Sequence, residues 1–155
     1  STPSNSSAAS DVYKRQQLCY ASKTTSPHHQ ILNDLRDILG EARDFNILHQ
    51  VQGVLYFADE HFFQCLEGEE VVILHVLEKL HKDPRHHQIK LFRAGHVVQG
   101  HFSQWSMKYV RRNGKIQQYF ESKGYNHFRP LSLDEQDIPT LLKLLYEIEQ
   151  PEEFV

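Results

Sequence analysis

GVLYFADEHFFQCLEG, residues 53–68, decides the fold, because two apolar runs flank a short polar turn and the second run alternates. Phe62, Gln64 and Leu66 fall on one face of an extended chain, and Phe63, Cys65 and Glu67 on the other. The reading is a hairpin, with strands over Val51–Phe57 and His61–Glu67 joined by Ala58–Glu60. A carboxamide has two N–H donors and an acceptor oxygen, so burying Gln64 on an apolar face requires polar company. Gln64 therefore marks where something polar meets the sheet.

Outward from the hairpin, Gln17–Ser22 reads as a first strand. Thr24–Pro27 makes a turn, with Ser26 as N-cap and Pro27 at the first helical position. Ile31, Leu35, Ile38, Ala42 and Phe45 are spaced for a helix from His28 to about Phe45. A second helix is expected over Glu69–His81, with Val72, Val76 and Leu80 on one side and Ile73 and Leu77 on another. Ile89–Val97 and Phe102–Tyr109 read as a further hairpin across Val98–His101. The order β-α-β-β-α-β-β predicts an α+β, ferredoxin-like core: a five-stranded mixed sheet with two helices on one face. In that arrangement the first strand neighbours the third. A short helix is expected at Ile116–Phe120, and Asp134–Gln150 carries an apolar stripe that should cover the open face of the sheet. Three segments result: a leader over 1–15, a domain over 16–110 and a helical extension over 111–155.

The chain has 155 residues, 39% hydrophobic and 24% charged, with net charge −3 when histidines are neutral. These values fit one globular domain with appendages. Mixed charges along the chain give no footprint for nucleic acid or an anionic membrane. No apolar run approaches the roughly 20 residues of a membrane-spanning helix. STPSNSSAASDVYKR lacks the apolar region of a secretory signal and reads as a disordered leader. Eleven histidines invite a metal reading, but His28–His29 and His86–His87 are adjacent and point apart, and the two cysteines lack zinc spacing. Cys19 and Cys65 read as free, buried thiols of a reducing, cytoplasmic compartment.

Five segments taken in order resemble one family: LCYAS at 18–22, ARDFN at 42–46, FFQCLEG at 62–68, DPRHH at 83–87 and FSQWSM at 102–107. The chain resembles the BLUF domain over roughly residues 17–110, and its helical extension resembles that of the short bacterial members. The resemblance implies a photoreceptor, not an enzyme, that binds FAD without a covalent bond between the two helices. Tyr20 matches the tyrosine that donates to the glutamine, and Gln64 the glutamine between tyrosine and flavin. Asn46 matches the asparagine at the flavin's carbonyl edge. Trp105 and Met107 match the pair that borders the glutamine. Lys79, Asp83 and His86 stand where members place polar contacts to the ring edge or the ribityl-phosphate chain.

The mechanism so implied runs from Tyr20 as electron and proton donor through the Gln64 amide. Gln64 is left rotated or in its imidic form, with a new hydrogen bond to the flavin carbonyl. Output is then expected through the last core strand and the Asp134–Gln150 helix to an unidentified protein partner. Self-association stays open, since short members range from monomers to rings. Alternation gives the same picture in part: Tyr20 and Gln64 point into the helix-covered layer, Cys19 and Cys65 away from it, and Trp105 and Met107, two apart, share a face. Which of the last two closes on Gln64 is not legible. Gln52, His101 and Phe45 depart from residues common in the family, Phe45 beside the ring. Two other classes remain in view. An acyl-phosphate hydrolase would want a glycine-rich loop with an arginine early in the chain, which Ser22–Pro27 lacks. A light-independent interaction module on the same core would be colourless.

Overall fold

The computed structural model describes residues 15–96, 102 and 105–149. Strand β1 spans Arg15–Thr24, and a 3-10 turn at His28–Gln30 leads into helix α1, Ile31–His49. Strands β2, Gln52–Ala58, and β3, His61–Glu69, form the expected hairpin. Helix α2 spans Glu70–Lys82, strand β4 His86–His96 and strand β5 Lys108–Val110. Helix α3, Gly114–Ser122, and helix α4, Ile138–Glu147, complete the chain, with 3-10 turns at Pro130–Ser132 and Glu135–Asp137. The leader expected over 1–15 lies outside the described residues, save Arg15, which opens β1.

The five strands order as β4-β1-β3-β2-β5, and β1 lies beside β3 with Tyr20 opposite Gln64 and Cys19 opposite Cys65. Antiparallel pairing joins β4-β1-β3-β2, while β5 runs parallel to β2, so the sheet is mixed. This is the ferredoxin-like order with one strand added at the β2 edge.

Three expectations need correction. The hairpin between Ile89–Val97 and Phe102–Tyr109 does not form: β4 and β5 occupy opposite edges of the sheet. Its turn, Val98–His101, lies outside the described residues. Beyond it, Phe102 is fully buried on the face away from α1 and α2, part of the path that carries the chain to the far edge. The strand expected over Phe102–Tyr109 is only Lys108–Val110, so two-residue alternation does not govern Trp105 and Met107. Met107 lies in the layer under α1 and α2, whereas Trp105 packs against the opposite layer. Nor does Ser26 cap α1; its hydroxyl donates to the Asp34 carboxylate, and Pro27 precedes an uncapped 3-10 turn.

Two apolar layers sandwich the sheet. Leu18, Leu55, Leu66 and Met107 meet Leu35, Ile38, Leu39 and Ile73 on the helix side. On the other side Cys19, Val54, Tyr56, Phe63 and Cys65 share one cluster with Phe102, Ile116, Phe120, Leu141 and Leu145. The amphipathic α4 thus covers the open face, as its stripe predicts. The turn between β2 and β3 places Asp59 at φ 50° and Glu60 at φ 66°, the left-handed pair that lets a two-residue hairpin follow the sheet's twist. Asp59 offsets that conformation with contacts to the extension: its carboxylate receives the Arg112 guanidinium and, at 2.8 Å, the Phe128 N–H. Lys108 and Lys90 fasten the extension from the two sheet edges. Lys108 Nζ donates to the carbonyls of Leu145, Tyr146 and Ile148 at 3.0, 3.0 and 2.5 Å. Lys90 Nζ donates to the carbonyls of Leu133 and, at 3.3 Å, Leu131. No helix among the described residues is long and apolar enough to cross a membrane.

Candidate functional site

Opposition of Tyr20 and Gln64 in the β1–β3 ladder puts both side chains on the same face, under α1 and α2. The Tyr20 hydroxyl donates to Gln64 Oε1, and both residues are buried. Gln64 Nε2 has a weaker neighbour, the Met107 thioether sulfur at 3.7 Å. Thioethers are poor acceptors, so the amide retains strong N–H donor capacity on this side.

Above the pair a cleft of about 150 Å³, partly open to solvent, runs between α1 and α2. Ile38, Ala42, Leu66, Val76 and Leu80 give it apolar walls, and Tyr20, Asn46 and Gln64 supply polar groups. Lys79, Asp83 and His86 line it as well, so all six residues expected at a cofactor converge on one cavity. That volume is below the roughly 300–1,000 Å³ usual for enclosed small-molecule sites, so a larger ligand would extend into the open side of the cleft. Apolar walls with a few convergent amides and charges suit a flat heterocycle with polar edges. Trp105 is absent from the lining and packs at a tilt against Phe102 and edge-on against Tyr146 instead, while Met107 is the one that meets Gln64.

Each polar residue is held by its element. Asn46 is buried near the end of α1, and its Nδ2 donates to the Ser106 carbonyl at 2.6 Å. One helical turn earlier, Arg43 donates from Nε and Nη2 to the Met107 carbonyl, each at 3.3 Å. Helix α1 thereby grips the backbone that carries Met107. Lys79 projects from α2 with Nζ 4.4 Å from the centre of the Phe45 ring, so that ring receives a cation. Arg85, which the sequence reading passed over, lines the cleft and bridges Asp83 and Glu41, each at 2.7 Å. Its signal was the DPRHH run itself, where only the flanking Asp83 and His86 were singled out.

Burial dominates the electrostatics. It pushes the Tyr20 phenol well above its ordinary range, Asp83 adds to the rise, and Arg85 partly opposes it. Tyr20 is thus a protonated donor throughout the physiological range. Burial likewise lowers the His86 imidazole to about 4 despite the nearby Asp83, keeping it neutral. Its Nδ1 lies 2.8 Å from Ser22 Oγ in a hydrogen bond. Burial would raise the Asp83 carboxyl, but the Arg85 hydrogen bonds outweigh it and leave Asp83 below the usual carboxylate range. Cys19 and Cys65 lie on the opposite face, free and buried, and burial raises the Cys65 thiol further. Neither sulfur belongs to the cleft. Among the described residues no cluster of three or more metal-ligating side chains is gathered.

A family model described as BLUF, sensors of blue-light using FAD, matches residues 16–108. Among solved structures, the BlsA ground state superposes with a TM-score of 0.85 at 47% identity, covering 88% of this chain and 91% of that one. The photo-activated state of BlsA gives 0.83 at 46% identity, covering 90% and 99%. BlrB, a BLUF protein in its dark state, shares the fold at 21% identity with a TM-score of 0.73, over 87% of this chain and 97% of that one. The photoactivated adenylate cyclase subunit beta of Euglena gracilis is 27% identical over 105 residues, 68% of this chain. The chain spans only 12% of that curated relative's length.

Proposed function

Because this chain belongs to the BLUF family, whose members sense blue light using FAD, we propose that it is a blue-light sensor in which Tyr20 and Gln64 form the responsive pair. The observation that carries this reading is the Tyr20 hydroxyl donating to Gln64 Oε1 at the floor of a cleft between two helices. Tyr20, Asn46, Gln64, Lys79, Asp83 and His86 would hold the cofactor, with Arg85 added to them. When bound, FAD supplies light absorption and an excited state able to accept an electron.

The chain's own residues supply the rest. Tyr20 keeps its proton on the phenol oxygen, because burial opposes the phenolate. A phenol that has given up an electron is a strong acid, and its proton has a ready acceptor in Gln64 Oε1. Gln64 can carry that proton at one end of its amide and release one from Nε2 at the other. When an electron and a proton both return to Tyr20, its neutral phenol is restored and nothing stays oxidised; what would persist is a rotated or imidic Gln64. His86 remains neutral and leaves the proton path to the phenol and the amide. Met107, next to Nε2, registers the change first, and Trp105 follows through the backbone.

One hydrogen bond contributes about 0.5–1.5 kcal/mol net, which shifts a two-state equilibrium by roughly 2–13-fold. Such a sum modulates an element already near balance. The proposed output is therefore a shift in the C-terminal segment that a separate protein partner reads, a sensor's role without catalysis by the described residues. A cytoplasmic location goes with two free thiols at Cys19 and Cys65.

The test uses the full chain loaded with FAD. Blue light should move the flavin absorption band reversibly to the red. Gln64→Leu should retain the flavin, since the apolar walls are untouched, and lose the shift. A normal shift in that variant would overturn the assignment.

A further inference from the structure

We propose that Lys108 is a positioning residue that carries a change at Gln64 to the last turn of α4. The inference rests on the blue-light reading above and deepens it. Met107 and Lys108 are consecutive, yet their side chains serve opposite faces of the sheet. Met107 Sδ lies 3.7 Å from Gln64 Nε2 on the cleft side. Lys108 Nζ lies on the other side, 2.5–3.0 Å from three carbonyls, those of Leu145, Tyr146 and Ile148.

An ammonium has three N–H donors, and here each finds one acceptor. The final carbonyls of a helix lack partners within it, and a positive charge there also complements the helix dipole. Lys108 thus supplies what the end of α4 lacks. It sits 4.4 Å from the Trp105 ring centre, and Trp105 in turn packs edge-on against Tyr146. The cluster joins the backbone of residues 105–108 to the end of α4 and to no part of the cleft.

Movement can pass because the backbone between the faces is short and gripped. Arg43 holds the Met107 carbonyl and Asn46 the Ser106 carbonyl, both from the helix that lines the cleft. A displacement of Met107 by about an ångström would carry Lys108 with it and take at least one of three directional hydrogen bonds out of range. Lys90 holds Leu131 and Leu133 from the opposite sheet edge, so the start of the extension stays anchored. The effect should therefore be local to the end of α4.

Amide hydrogen exchange of the full, FAD-loaded chain, in the dark and under blue light, tests this alongside the absorption spectrum. In the native chain, exchange at residues 144–149 should quicken in light by about tenfold, the factor for losing one charge-assisted hydrogen bond. Residues 130–133 should not change. Lys108→Met should keep the red shift, exchange quickly at 144–149 already in the dark, and lose the light dependence there. Lys108→Arg, which restores several donors, should regain that dependence. A native light–dark difference in Lys108→Met would overturn the proposal, as would a native red shift with no difference at 144–149. The native comparison decides alone if Lys108→Met fails to fold. Absence of any red shift in the native chain would instead overturn the blue-light reading, and this inference with it.

Discussion

His86 shows how one buried side chain fixes both the chemistry and the acid limit of the cleft. Its imidazole packs against Phe62 at 4.7 Å and Tyr20 at 6.1 Å between ring centres, and is lowered from an ordinary 6.5 to about 4 by burial. Since the unfolded chain protonates first, stability tied to neutral His86 is fully present above pH 6.5. It is lost progressively as pH falls through about 4, on the order of a few kcal/mol in all. Asp83, held below the usual range, adds its own loss only at lower pH, beneath its ordinary 3.8. Urea unfolding midpoints should therefore fall between pH 6.5 and 4 in the native chain. His86→Gln should flatten that limb, and an unchanged limb would remove His86 from the account. At this scale much was legible. Alternation alone put Tyr20 and Gln64 on a common face, because both lie in long regular strands. Arg85 was not, because its role depends on Glu41, 44 residues away, meeting it across the cleft.

Regular elements followed their sequence patterns closely, and the failures occurred where regularity ends. The helix stripe at Ile31–Phe45, the part of the Asp134–Gln150 stripe that forms a helix over Ile138–Glu147, and the Gly53–Gly68 hairpin appeared because each pattern was set by local burial. The supposed β4–β5 hairpin failed because proximity in sequence favoured it, while the edge of β2 offered the vacant pairing site. Face sharing of Trp105 and Met107 failed with it, since residues 105–107 are irregular backbone outside β5. At Gly53, strand β2 meets both that irregular backbone and β3. The Gly53 N–H donates to the Trp105 carbonyl at 3.3 Å, and a Cβ there would sit 2.3 Å from the Cys65 carbonyl oxygen. Gly53→Ala must therefore push β2 and β3 apart, at a cost of about 1–3 kcal/mol by analogy with overpacked cores. Thermal unfolding should report the loss, and a stability equal to native would show that the strands yield freely. The neighbouring Gln52 accepts from Arg15 Nη2 at 2.7 Å and so ties β2 to the start of β1.

Across the whole molecule, the cluster on the open face of the sheet joins strand residues to residues of the extension beyond 110. Leu141 and Leu145 are fully buried among residues of β1, β2 and β3. Removing such a leucine side chain costs about 2–5 kcal/mol. Leu141→Ala should lower the unfolding midpoint followed by far-ultraviolet circular dichroism and that followed by flavin absorbance together, in one transition. Two separated transitions would instead make residues 111–155 a unit of their own. Continuity of that core also bears on Trp105. The sequence contains a single tryptophan, and it lies on the far side of the sheet from the cleft, with Lys108 over its ring and Tyr146 at its edge. Its fluorescence is consequently an intrinsic gauge of the far face, assignable to one position without labelling or mutagenesis. Any rearrangement that separates the ammonium from the indole will appear as a change in emission, in step with or apart from the colour change at the dye.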